Sequence, residues 1–303
     1  MRLIKYYWDR TRRNKLAVAG LAYILFLIVL AVVGPFFTID PTEANFDEKN
    51  LPPLGFSTQE TIYSMQEGTF TTTTIGSEWK HPLGTDSKGR DMLAMLVSGA
   101  RISLWVGIIA TGIAIIIGTM IGIAAAYFGR WTDTILMRFT DIMMTFPFFL
   151  LLVFIVFIFG PSLILIVIVI GLTGWTGISR LIRSETLSLR TRDFVTASRA
   201  LGGSDGWIML RHLIPNVASL IIVMATLSIP GVILAEAALS FIGLGDPTMP
   251  SWGVVLQSGQ ESLDTSWWVA VEPGIMLLLT TLAFNFLGDG LRDAFDPKSR
   301  VMD

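Results

Sequence analysis

Six apolar stretches divide this chain, each long enough to cross a hydrocarbon core of about 30 Å as a helix of about 20 residues. They cover residues 16–37, 100–128, 135–159, 162–182, 217–242 and 268–287. Lipid offers no hydrogen-bond partner to an open backbone, so runs of this length are predicted to be helices that satisfy their own amides. Composition agrees: 52% of residues are hydrophobic and only 15% charged, with a mean hydropathy of +0.63. An ordinary water-soluble domain has fewer apolar and more charged residues. The expected fold class is therefore an all-α polytopic membrane protein with six transmembrane helices. The first run follows a basic start (Arg2, Lys5, Arg10, Arg12, Arg13, Lys15) and shows no small-x-small cleavage pattern before Pro35, so it reads as an uncleaved anchor. Gly160 and Pro161 predict a tight turn between the third and fourth runs. The chain has no cysteine, which excludes disulfides, thiol catalysis and zinc–thiolate sites.

Orientation follows from the basic residues. An inside N-terminus puts Arg130, six arginines between Arg180 and Arg211, and Arg292, Lys298 and Arg300 on one side of the membrane. Residues 38–99 carry Lys49, Lys80, Lys88 and Arg90 against nine acidic residues, and the loop at 243–266 has no lysine or arginine. Both termini are thus expected to be cytoplasmic. Residues 38–79, rich in Thr, Glu, Pro and Ser, read as an extracytoplasmic loop or cap onto which Tyr63, Phe70 and Trp79 can pack, or as a spacer without fixed structure. Residues 1–13 alternate aromatic and basic side chains, as an interfacial helix or a topogenic tail would.

The cytoplasmic island at 180–216 is RLIRSETLSLRTRDFVTASRALGGSDGWIMLRHLIPN. Phe194, Ala197 and Leu201 fall on one helical face, Gly202 is placed to end that helix, and Ser204 or Asp205 to cap the next. Two short helices around a glycine turn suggest a docking element; the bland alternative is an arginine-rich cover over lipid headgroups. Its core, TASRALG followed by IPN, resembles the EAA loop of binding-protein-dependent ABC importer permeases. Three other blocks point the same way. HPLGTDSKGRDMLAMLVSGARISL at 81–104 resembles the block HPLGTDxxGRD…GARxSL of oligopeptide and dipeptide permeases. DIMMTFPFFLLL from Asp141, LAEAALSFIGLGDPTMPSWG at 234–253 and the FDPKSR tail at 295–300 are similar to the same family. In three places the chain departs from the family pattern. Thr196 stands where many members have the glutamate of the EAA loop, Ser198 where they have alanine, and His212 where the pattern has isoleucine.

The resemblance implies a type I ABC importer permease core over residues 100–290, preceded by an anchor (1–37) and a long extracytoplasmic segment (38–99) and followed by a tail (291–303). It also implies a coupling loop at 184–215 whose Phe194, Thr196, Ala197, Ser198, Arg199, Ala200, Leu201 and Gly202 meet a cytoplasmic ATPase. The implied partners are a homologous second permease, two ABC ATPases and an extracytoplasmic binding protein that delivers short peptides. Nickel chelates or sugars are the alternative cargo, and the setting is a prokaryotic plasma or inner membrane. No nucleic-acid partner is expected. The chain lacks a G-x-x-x-x-G-K-[ST] pattern, so ATP and magnesium are expected on partner subunits, and no cofactor or enzymatic activity on this one. An ion-driven secondary transporter or channel is the competing class; buried ion sites and internal repeats would mark it.

Within the spans, Glu236 is the outlier, since an ionisable group at membrane depth costs about 2.5–3.5 kcal/mol on insertion scales unless it faces protein or water. It reads as a structural hydrogen-bond or ion-pair residue, or as a residue of the translocation path; Asn285 invites the second reading too, and Asp141 reads as a packing or capping residue. His81 and His212 fall on opposite sides of the membrane and cannot share a site. Gly118, Gly122, Gly171, Gly174 and Gly177 read as helix-packing positions, and Trp267 and Trp268 as interfacial anchors. In the 81–104 block, Asp86 or Ser87 is expected to cap a helix lying along the outer interface.

Overall fold

The computed structural model describes residues 10–12, 14–64 and 69–295. Most of the proposed interfacial segment 1–13 and the tail 296–303 lie outside them, as do the side chains of Tyr63 and Phe70. The first anchor is α1 (Lys15–Val33), capped by Asn14, whose Oδ1 accepts from the amides of Leu16 and Ala17. The segment after it holds two single 3-10 turns, Gly34–Phe36 and Phe46–Glu48, and a two-stranded antiparallel hairpin of β1 (Ser57–Ser64) and β2 (Thr69–Gly76); Trp79 beside it is 88% exposed rather than packed.

A single helix, α2 (Met92–Phe128), then runs 37 residues, about 55 Å at 1.5 Å per residue. Its cap is Asp91, which accepts from the Ala94 amide at 2.9 Å, so the chain goes straight into the span with no separate helix along the interface. The boundary expected at residue 99 falls inside this helix. Asp86 does something else: it takes the amides of Lys88 and Arg90 and the Arg90 guanidinium.

The third predicted span is broken. It consists of α3 (Arg130–Thr145) and α4 (Phe148–Phe159), bent by 73° at Phe146–Pro147. Proline lacks the amide that would continue the ladder and pushes the preceding residue out of the helical region; Phe146 is extended, at φ −79° and ψ 126°. Among the described residues, five helices are long and apolar enough to cross a membrane, six if this bent pair counts as one span. Gly160, at φ +86°, makes the expected turn. Next come α5 (Leu163–Thr173) and α6 (Trp175–Arg190), which join at Gly174 into one span, then α7 (Asp193–Ala200) and α8 (Asp205–Ile208). After a wide turn at Met209–Leu213, α9 (Ile214–Leu239) carries Pro230 within it, and α10 (Trp252–Gln260) is a short helix in the loop that follows. The last helix, α11 (Trp268–Phe295), includes the residues expected to begin the tail.

Packing centres on α2, which lies against α6, α9 and α5, while α11 packs on α1, α9 and α10. Small residues set the closest approaches. A Cβ on Gly122 would sit 2.6 Å from the Ser179 carbonyl oxygen, one on Gly118 2.9 Å from that of Trp175, and one on Gly171 2.8 Å from the Ile113 Cβ. Gly177 faces open space, so the packing expected there is absent. Trp268 is fully buried and donates its indole N–H to the Thr85 carbonyl at 3.0 Å, so it locks the start of α11 where the sequence suggested an interfacial anchor. Trp267 is 40% exposed.

Candidate functional site

The 81–104 block ties together the ends of the helices on the side away from the 184–215 segment. His81, 1% exposed, lies between two carboxylates, with Nδ1 2.8 Å from Asp91 Oδ1 and Nε2 3.2 Å from Glu48 Oε2. Thr85 exchanges bonds with Leu51, and Lys80 reaches Glu48 at 2.6 Å. The Lys80 ammonium holds the Glu48 carboxyl below the usual carboxylate range, against a smaller opposing effect of burial. Residues 45–51, the start of α2 and the start of α11 thus form one knot around Thr85 and His81.

At the other end of α2, the 184–215 segment forms the element expected. Asp193 opens α7, and Gly202 stands at φ +83°, a left-handed conformation that glycine adopts without steric cost. The Gly203 amide returns to the Ser198 carbonyl at 3.0 Å, as in a glycine-terminated helix. Ser204, not Asp205, caps α8 by accepting from the Trp207 amide. One side of this helical pair is buried through Val195 and Ile208. The other presents Phe194 (38% exposed), Leu201 (88%), Trp207 (50%) and Leu210 (69%). Ala197 and Ala200 are exposed with them and leave the surface low between the larger side chains. Four large apolar side chains on one short cytoplasmic-type element form an unpartnered patch suited to a protein partner.

Thr196 turns its hydroxyl back to the Asp193 carbonyl at 3.0 Å, so no ion pair forms at the position of the family glutamate. Ser198 and His212, the other two departures, meet each other: Ser198 Oγ lies 2.9 Å from His212 Nε2. The His212 ring also lies within 5.9 Å of Phe194 and 5.0 Å of Trp207, centroid to centroid. Arg199 extends over the Tyr127 ring at 5.1 Å. Neither Tyr127 nor a contact between His212 and this helical pair was expected from the sequence. Of the two, only His212 carried a sequence signal, since it and Ser198 both break the pattern.

The two path candidates lie elsewhere. Glu236 is 1% exposed, and its Oε1 accepts hydroxyls from Ser240 at 2.6 Å and Ser251 at 2.7 Å. Asn285 is half-buried on α11. A cavity of about 530 Å³ opens between α6, α9 and α11, lined by Leu181, Glu185, Val223, Met224 and Arg292 among others, and neither Glu236 nor Asn285 reaches it. Asp141 makes an exposed pair with Arg180 at 2.6 Å.

The helices and this exposed element define a multi-pass membrane protein with an unpartnered apolar face on one of its loops. Residues 114–301 match the family model described as the binding-protein-dependent transport system inner membrane component, and residues 2–53 match the N-terminal TM domain of oligopeptide transport permease C. The chain belongs to this family of ABC importer permeases. It is 40% identical over 289 residues to the oligopeptide transport system permease protein OppC of Haemophilus influenzae, covering 95% of this chain and 86% of that one. To the dipeptide transport system permease protein DppC of Bacillus subtilis it is 38% identical over 296 residues, with 97% and 85% covered. Among solved structures, an inward-facing form of the MetNI methionine ABC transporter superposes with a TM-score of 0.53 at 20% identity. It covers 68% of this chain and 98% of the other, and establishes a shared type I permease fold.

Proposed function

We propose that this chain is one of two permease subunits of a peptide importer. An extracytoplasmic binding protein delivers short peptides, and two ABC ATPases, holding ATP and magnesium, drive their passage. The exposed patch of Phe194, Leu201, Trp207 and Leu210 carries this reading, because a buried inner face with an unpartnered outer one is what a docking helix requires. The basic residues beside it support a cytoplasmic side for the element and for both termini. Short peptides are the cargo that the names of the relatives support.

In this reading the ATPases close on nucleotide and carry α7 with them, Phe194 and Leu201 seated in a groove and the small residues Ala197, Ser198 and Ala200 allowing close approach. The permease supplies the passage and the lever, and hydrolysis takes place on the partners. The test is affinity purification of the tagged chain from its native membrane, with mass spectrometry, comparing wild type with Gly202→Asp. A second permease and Walker-motif ATPases are expected with wild type, and the ATPases are expected to be lost selectively from the variant. Transport by the chain alone, with no ATPase in either sample, would instead establish an ion-driven transporter.

A further inference from the structure

The last turn of α2 is gripped by the cytoplasmic element at three points. Arg190 donates through Nη1 to the Ala126 carbonyl at 2.8 Å and reaches the Tyr127 carbonyl at 3.5 Å, covering acceptors that a helix C-terminus otherwise leaves open. Arg199, on α7, lies over the Tyr127 ring. The Tyr127 hydroxyl donates to Asp205 Oδ1, on α8, at 2.7 Å. Both helices flanking the Gly202 turn therefore close on one side chain, which is 4% exposed and packed in the same cluster as Val195 and Ile208.

What Tyr127 belongs to matters as much as what it touches. The other long routes from this element into the membrane each carry a local irregularity: a glycine junction at Gly174 in the α5–α6 span, and Pro230 in α9 with the wide turn that precedes it. By contrast, α2 has no proline and no break over 37 residues. Its far end is Asp91, bonded to His81 within the outer knot that also holds the starts of residues 45–51 and of α11. Displacement applied to α7 thus has one unbroken helix along which to travel to the opposite face.

We propose that Tyr127 is the positioning residue through which movement of the ATPase-docking helices enters α2, and that α2 carries that movement as a rigid strut to the outer knot. This rests on the importer reading above. Removing the ring is expected to separate ATP hydrolysis from transport while leaving the partner docked, because the docking side chains point away from Tyr127.

The experiment uses the whole complex purified through this chain and reconstituted in liposomes. Tyr127→Ala, Tyr127→Phe and Asp205→Asn are compared with wild type for co-purified ATPase, ATP hydrolysed and peptide taken up per ATP. Asp205→Asn weakens the same bond from its exposed side and tests it without disturbing the buried cluster. ATPase content and hydrolysis are expected to stay within about twofold, while uptake per ATP falls about tenfold in Tyr127→Ala and about threefold in the other two. The chain has no cysteine of its own, so a single reporter at the exposed Ser87 reads the outer knot directly. Its nucleotide-dependent signal is expected in wild type and absent in Tyr127→Ala. Unchanged uptake per ATP in Tyr127→Ala, a preserved Ser87 signal, or loss of ATPase in proportion to lost uptake would each overturn the proposal. A wild-type complex without ATPase would overturn the importer reading itself, and this inference with it.

Discussion

Replacing Glu236 separates a residue that holds the membrane domain together from one that touches cargo. Its Oε1 accepts from Ser240 and Ser251, and Ser251 also caps α10 through the Val254 amide at 3.3 Å. One carboxylate oxygen therefore joins the end of α9 to the start of α10. Oε2 has no partner among the described residues. Glu236→Gln keeps an acceptor at Oε1, so stability is expected to change by no more than about 1 kcal/mol, in line with the small value of single polar contacts between membrane helices. Glu236→Ala removes both bonds, strands two buried hydroxyls and empties the space of the side chain, with an expected loss of about 3–5 kcal/mol. Unfolding of the purified protein by SDS titration in mixed micelles measures both variants, with peptide uptake measured alongside. Gln variant protein of wild-type stability that transports tenfold less would refute the structural reading, because the carboxylate would then be acting on the cargo. So would an Ala variant as stable as wild type.

Gly122→Ala is expected to cost about 1–3 kcal/mol by driving a methyl against the Ser179 carbonyl. Gly177→Ala, facing open space, is expected to be neutral or up to about 1 kcal/mol stabilising; the same unfolding assay ranks them, and equal effects would sink the packing assignment. Ser198→Ala leaves His212 Nε2 without its partner and is expected to weaken the helical pair by about 0.5–1.5 kcal/mol. The double variant Ser198→Ala/His212→Ile, which restores the family residues, is expected to recover ATPase co-purification to the wild-type level; no gain over the single variant would count against a coupled pair. At the outer knot, Glu48 has its pKa lowered from a usual value of 4.5, chiefly by Lys80. A depressed carboxyl contributes stability above the ordinary carboxylate range and loses it as pH falls through the lowered value. Protection of the amides of residues 45–56, taken relative to the intrinsic exchange rate at each pH, is expected to be high at neutral pH and to fall as pH drops through the lowered Glu48 value, and in Glu48→Gln to lose that acid dependence.

Apolar length was enough to locate the spans, since a bilayer demands it of any helix that crosses. The same measure could not detect the bend at Phe146–Pro147: both halves are apolar and only the missing amide of Pro147 breaks them. The hairpin had a local signal that a composition of Thr, Glu and Ser obscured, because six of the eight residues of TFTTTTIG are β-branched, while its partner STQETIYS has only three. Short-range geometry was legible wherever one residue sets it, as with Gly202 ending α7 and Ser204 opening α8.

Pairings between distant residues were not legible. Tyr127 and Asp205 are 78 positions apart, Arg190 and Ala126 are 64, and Trp268 and Thr85 are 183. Each of these residues has a satisfactory solitary reading: an interfacial tyrosine, a capping aspartate, a cytoplasmic arginine, an anchoring tryptophan. Only packing shows that they converge on the two ends of one helix. On the proposed reading that convergence bears on function, because a docking patch that moved without a stiff connection to the opposite face would leave the partners' ATP hydrolysis without effect on transport. Of the residues that make the connection, Tyr127 is buried, and the partly buried Arg190 and the exposed Asp205 turn onto the last turn of α2 instead of joining the apolar patch to which a motif search is drawn. Substitutions that uncouple transport from hydrolysis are accordingly expected to concentrate around Tyr127, Arg190 and Asp205 more than on Phe194 or Leu201, where loss of the ATPase itself is the expected result. A random-mutant screen scored for uptake and for retained ATPase would reverse this conclusion if uncoupled variants clustered on the exposed face instead.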